Sequence, residues 1–174
     1  MSRPNKGQLP TAPFYLQTNP PPYCRTCGRV ISSHSAAAIT QDLRSFCSSS
    51  CRSRKPAPFD RGIEAEFVNL LREQRVVLCS AVERAIFSTH EENQDAFDKE
   101  PPNQAKDSKE NQELGMKRAK ERERVKCAAR RLVVHGFRQN DSAQGGIRFC
   151  EAVTEGRVVE PSFAKGDWGV RWRE

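Results

Sequence analysis

Two pairs of cysteines constrain this chain more than anything else in it: Cys24-Arg25-Thr26-Cys27 and Cys47-Ser48-Ser49-Ser50-Cys51. The first pair is followed by Gly28, which suits the tight turn of a metal-binding knuckle. The second pair has i, i+4 spacing, so both thiols project from one face of a helical turn. Two short-range pairs of thiolates match a closed tetrahedral site. The spacing therefore predicts a structural zinc held by Cys24, Cys27, Cys47 and Cys51, a saturated set that leaves no open position for a catalytic water.

The rest of the composition argues against one large core. Hydrophobic residues make up 36% of the 174 and charged residues 29%, and several stretches are polar or rich in proline. Small ordered pieces joined by disordered segments fit such a chain, and pieces of that size use metal because apolar burial alone stabilises them poorly. The expected fold class is a small zinc-stabilised α+β finger plus a small helical and β C-terminal unit, with a disordered N-terminus and a disordered linker. The seven cysteines are an odd number, no apolar leader follows Met1, and no apolar run approaches the ~20 residues that span a bilayer. An intracellular, reducing compartment and thiols used as ligands are the corresponding expectations.

Residues 1–22 read as a disordered lead-in that ends in Pro20-Pro21-Pro22. Residues 23–55 form the metal module: a knuckle with a short hairpin over Tyr23 to Ile31, a polar connection over 32–45, then Phe46 and the second pair, with Ser48 placed to cap a helical turn. His34 in the connection reads as a loop histidine rather than a ligand. Asp60 is a candidate N-cap for the segment 56–88, where Ile63, Phe67, Leu70, Leu71, Val77, Leu78, Val82 and Ile86 recur at helical spacing. That segment is one long amphipathic helix or two broken near Glu73–Arg75, with 76–79 as a strand in the alternative; Cys79 lies on its apolar side. Residues 89–113 read as an acidic disordered linker interrupted by Pro101-Pro102. Residues 114–137 read as a basic helix ended by Gly136. Residues 138–174 suggest two short strands, turning around Thr154–Gly156, and a tail that carries Trp168 and Trp172 and packs on the helices.

The segments CRTCGRVI and FCSSSCRSRK resemble treble-clef zinc modules whose second half reads Phe/Tyr-Cys-Ser-x-x-Cys-Arg/Lys. YacG-type bacterial zinc proteins share the Cys-x2-Cys-Gly and Phe-Cys-Ser-x-x-Cys arrangement, and MYND-type interaction fingers share the tail. The resemblance covers about 30 residues and implies a zinc fold, not a particular activity. The gap between the pairs is longer here than in the YacG type, and the downstream segment does not follow, so gyrase inhibition is not carried across. The layout also resembles fungal proteins that join an N-terminal cysteine module to a C-terminal Gly-Asp-Trp-Gly-Val-Arg-Trp segment.

Charge is distributed in blocks. The net charge of +7 comes from +7 over residues 1–61, −1 over 62–90, −5 over 91–113, +6 over 114–137 and zero beyond. Basic blocks favour nucleic acid or acidic partners, or serve as solvated faces or import signals. Candidate contacts are Arg52, Arg54 and Lys55 after the second pair, and Lys117, Arg118, Lys120, Arg124, Arg130 and Arg131 on the basic helix. No leucine heptad follows that helix, so a basic zipper is excluded. Enzyme signatures for zinc proteases, phosphate loops and serine hydrolases are absent. The expected function is a non-enzymatic zinc-binding adaptor or regulatory protein whose finger contacts a protein or nucleic-acid partner, with no membrane and no small-molecule substrate. The alternative is a nucleic-acid-binding protein using the finger and residues 117–131 on phosphate, and an enzyme whose site is scattered in sequence is the third reading; a nuclear location is suggested by the basic clusters alone.

Overall fold

Val125, Ala128, Ala129, Leu132 and Val133 recur at three- and four-residue steps, and this stripe decides where the longest helix sits. The computed structural model describes residues 12–31, 45–54, 56–87, 104–138 and 146–174, with 104–108 as backbone only. Its elements are α1 (Ser49–Ser53), α2 (Pro58–Glu73), β1 (Val77–Leu78), α3 (Cys79–Phe87), α4 (Gln104–Val134), β2 (Phe137–Arg138), β3 (Ile147–Arg148), β4 (Cys150–Thr154), β5 (Arg157–Val158) and β6 (Gly169–Trp172), preceded by a single 3-10 turn at Phe14–Leu16. The fold is small and α+β.

The C-terminal half of α4 lies against α2, α3 and β4, with the stripe fully buried. Its N-terminal part projects beyond them, and residues 109–120 are all exposed. The α2 helix offers Ile63, Phe67, Val68 and Leu71 to the same core, and α3 offers Cys79 and Val82. The sheet is antiparallel in the order β1-β6-β4-β5, with Val77 opposite Val170, Ala152 opposite Val170, and Val153 opposite Val158. A separate two-stranded ribbon pairs Phe137 with Arg148. Trp168, just before β6, is completely buried, and Trp172 packs at the edge of the core under the guanidinium of Arg148.

Several expectations are revised. Residues 12–22 are not uniformly a disordered lead-in: Tyr15 is buried, accepts from the Ala152 N–H at 3.1 Å and donates to the Val159 carbonyl at 3.1 Å. The helix expected from 114 begins at Gln104, so 104–113 is helix rather than linker; glutamine, glutamate and lysine have ample helix propensity once α4 is nucleated elsewhere. Of the alternatives for 56–88, the described residues take two helices, broken after Glu73, with a short strand at Val77–Leu78 between them. Asp60 is not the N-cap of α2, because Pro58 opens the helix one turn earlier; its carboxylate instead accepts from the Ala57 N–H at 2.9 Å. Gly136, at φ +72°, does end α4. His34, most of the 32–45 connection, Lys55 and residues 89–103 lie outside the described residues, as do 1–11.

Candidate metal centre

The first half of the site is a turn held by its own backbone. Gly28 N–H donates to the Cys24 carbonyl at 2.9 Å, Cys24 N–H donates to the Arg29 carbonyl at 2.9 Å, and Tyr23 pairs with Val30 as an antiparallel bridge. Gly28 at φ +67° lets the turn close, and no other residue fits: a Cβ there would stand 2.5 Å from the Arg130 Cβ and 2.8 Å from the Arg130 carbonyl carbon. The second half is α1. The Ser48 hydroxyl accepts from the Cys51 N–H at 3.2 Å, the expected cap, and Cys47 and Cys51 flank the helical turn. The halves are joined where the Thr26 hydroxyl donates to the Cys51 carbonyl at 2.6 Å and the Arg25 N–H to the Ser45 carbonyl at 2.9 Å.

The result brings all four predicted thiols together, with their sulfurs within 4.8 Å of one another. Cys27 and Cys47 are 3.5 Å apart and Cys47 and Cys51 3.6 Å. Zn–S bonds of ~2.3 Å at tetrahedral angles put sulfurs about 3.8 Å apart, so a four-coordinate ion fits the set with small adjustment. All seven cysteines are free thiols, and these four can bind a metal ion.

Backbone N–H groups of Cys27, Cys47 and Thr26 favour the Cys24 thiolate, and that of Arg29 favours the Cys27 thiolate. Without a metal, the Cys27 thiol is pushed well up, first by its hydrogen bond to Cys24 and then by burial, while Cys24 is held down by that same shared proton. Burial likewise pushes Cys47 up to about 11.

The structure adds a connection that sequence reasoning missed: the module is seated on α4. The Arg131 Nη1 donates to the Thr26 carbonyl at 2.8 Å, and the His135 Nε2 lies 3.3 Å from the Cys24 carbonyl. Cys127 packs against the cysteine cluster, and Arg29 pairs with Glu123 at 2.9 Å. Farther out, the Val30 N–H donates to the Ser162 hydroxyl at 3.0 Å. The Tyr23 hydroxyl and the Phe14 N–H both donate to one oxygen of the buried Glu160 carboxylate, at 3.0 and 2.9 Å. Burial raises the Glu160 carboxyl, and these donors pull it partly back.

The basic candidates separate into two groups. Arg130 and Arg131 do not face a partner: their side chains are 4% and 8% exposed. Arg130 pairs with Glu123 at 3.0 Å and donates to the Pro161 carbonyl at 3.2 Å, and Arg131 pairs with Glu64. Arg124 is half engaged, bonded to Asp60 at 2.9 Å and stacked 4.3 Å over the Phe59 ring. Arg52, Arg54, Lys117, Arg118 and Lys120 are exposed. No local signal set Arg130 and Arg131 apart: both lie on the flanks of the apolar stripe, where a helix usually meets solvent, and only their tertiary partners bury them.

Comparison with protein-family models, with curated proteins and with solved structures found no match in any of the three. Among the described residues no helix is long and apolar enough to cross a membrane.

Proposed function

We propose that this chain is a non-enzymatic adaptor, in which a zinc ion on Cys24, Cys27, Cys47 and Cys51 orders a treble-clef-like finger and fixes it to α4 for contact with a protein partner. The supporting observation is the convergence of four thiols, at the separations of a tetrahedral ion, in a knuckle clamped to the core. Soft thiolate donors in a closed set select zinc or iron over hard cations, and four protein ligands leave no site for a bound substrate. A structural ion placed there stabilises an arrangement of surfaces rather than performing chemistry. Arg52 and Arg54, exposed on and just after α1, would be presented by it.

The nucleic-acid alternative keeps the exposed Arg52, Arg54, Lys117, Arg118 and Lys120 but loses Arg130 and Arg131 to internal pairs. Metal content by mass spectrometry, with circular dichroism before and after chelation, tests the zinc. Metal-dependent cross-linking to a protein partner, weakened by Arg52→Glu with Arg54→Glu, supports the adaptor. Binding to nucleic acid that falls steeply with salt, without a protein partner, supports the alternative.

A further inference from the structure

Away from the cysteines, α3 and the projecting part of α4 enclose an open groove of about 600 Å³. Its apolar lining comes from Phe59 at the start of α2, Ile86 and Phe87 on α3, and Leu114 on α4. Phe59 and Leu114 are 46% and 40% exposed, so carbon surface lines both sides of the concavity. Leu114, Lys117, Arg118, Glu121 and Arg122 follow at helical steps, so one continuous face of α4 looks into the groove. Nothing among the described residues packs on that face where α4 runs past α3.

We infer that this groove docks an acidic amphipathic helix of a partner protein. The inference rests on the adaptor reading and names the partner's chemistry. Four cations, Arg84, Lys117, Arg118 and Arg122, line the groove against two carboxylates, Glu83 and Glu121. Lys117 and Arg84 make no hydrogen bond or ion pair among the described residues, so their charge is available to a ligand. Apolar side chains at i, i+3, i+4 and i+7 of an incoming helix would cover the carbon lining, and acidic residues beside them would meet Arg84 and Lys117, the usual arrangement of a helix in a groove.

Nucleic acid fits less well. One face of the Phe59 ring already carries the Arg124 guanidinium at 4.3 Å from its centroid and the ring leans on Phe87 at 5.8 Å, so it leaves a base less room to stack than a bare ring would. The remaining lining, Ile86 and Leu114, is aliphatic.

The test is fluorescence anisotropy with the full metal-loaded chain and a labelled synthetic peptide that has leucines at i, i+3, i+4 and i+7 and glutamates between. A scrambled peptide of the same composition and a single-stranded oligonucleotide of equal charge are the comparisons. Leu114→Glu and Lys117→Glu lie on the exposed part of α4, and unchanged circular dichroism and metal content show that they fold. The amphipathic peptide is expected to bind, with each substitution and the scramble weakening it by roughly tenfold or more, as for a residue central to an interface. Equal binding of the scrambled peptide, tighter binding of the oligonucleotide, no peptide binding, or indifference to both substitutions overturns the proposal. Metal-dependent partner cross-linking that survives Leu114→Glu overturns the groove alone. Absence of any metal-dependent cross-linking overturns the adaptor reading, whatever the peptide does.

Discussion

Gly28→Ala probes the seat of the cysteine module on α4. Two separate costs arise at this position. The backbone sits at φ +67°, and holding an alanine in the left-handed region costs ~1–2 kcal/mol. The new methyl would also meet the Arg130 Cβ at 2.5 Å, the Arg130 carbonyl carbon at 2.8 Å and the Arg131 nitrogen at 2.9 Å. Those atoms belong to the body of a packed helix and cannot rotate aside, so the turn and α4 must separate, at an overpacking cost of ~1–3 kcal/mol. The expected loss is therefore about 2–5 kcal/mol in urea unfolding of the metal-loaded protein, a large fraction of a typical domain's stability. Gly156→Ala provides the control. Gly156 has φ +77° in the β4–β5 turn, but a Cβ there meets nothing within 4 Å, so only the backbone cost of ~1–2 kcal/mol applies. Gly28→Ala should also weaken metal binding in a chelator competition, because the same turn positions Cys24 and Cys27. Equal losses for the two substitutions, to within ~0.5 kcal/mol, would show that the module is not seated on α4 as described.

Further outcomes can be checked alongside it. Cys24→Ser or Cys51→Ser should abolish stoichiometric metal and melt the module, since folding and ligation are coupled, whereas Cys150→Ser, in β4 and apart from the cluster, should leave metal content unchanged. Loss of metal in the Cys150 variant would refute the ligand assignment. Arg131→Met removes the ion pair to Glu64 and the bond to the Thr26 carbonyl, leaving a largely buried carboxylate without its cation, at a cost of roughly 3 kcal/mol that Glu64→Gln in the same chain should partly recover. A double-mutant cycle by denaturation measures that coupling. Metal binding should release protons and weaken as pH falls. Without metal, Cys27 is raised and Cys47 stands at about 11, so both are protonated at neutral pH and must ionise to ligate. Each thiol that ionises on ligation costs about tenfold in affinity per pH unit of acidification, so these two alone imply at least about 100-fold, and calorimetry in buffers of different ionisation enthalpy counts all the released protons directly. An affinity flat from pH 8 to pH 6 would contradict the protonated thiols.

The four clustered thiols were legible because each pair is local. Two residues between cysteines, or three within a helical turn, bring sulfurs together whatever the rest of the chain does. The Ser48 cap, the Gly136 terminus and the turn near Thr154–Gly156 are local in the same sense, each set by the backbone demands of a few neighbouring residues. Element limits were less legible where two weak preferences competed. Residues 104–113 look like acidic linker by composition, yet they extend a helix whose nucleus is buried twenty residues further on.

The fate of the charges was decided by tertiary structure. Arg130 and Arg131 belong to a run of basic residues that looks uniform in sequence, but their helix turns them towards Glu123, Glu64 and the carbonyls of Pro161 and Thr26. Lys117 and Lys120 stay exposed because nothing among the described residues buries α4 over 109–120. The seat of the cysteine module on α4 depends on contacts between residues about a hundred positions apart, such as Thr26 with Arg131 and Arg29 with Glu123. No short-range pattern encodes such pairings, since each partner is polar and would be equally content in water; only the burial of the neighbouring apolar stripe forces them together. The sequence by itself determined that four thiols would meet. The packing of α4 determined which charges they meet, and which remain on the surface.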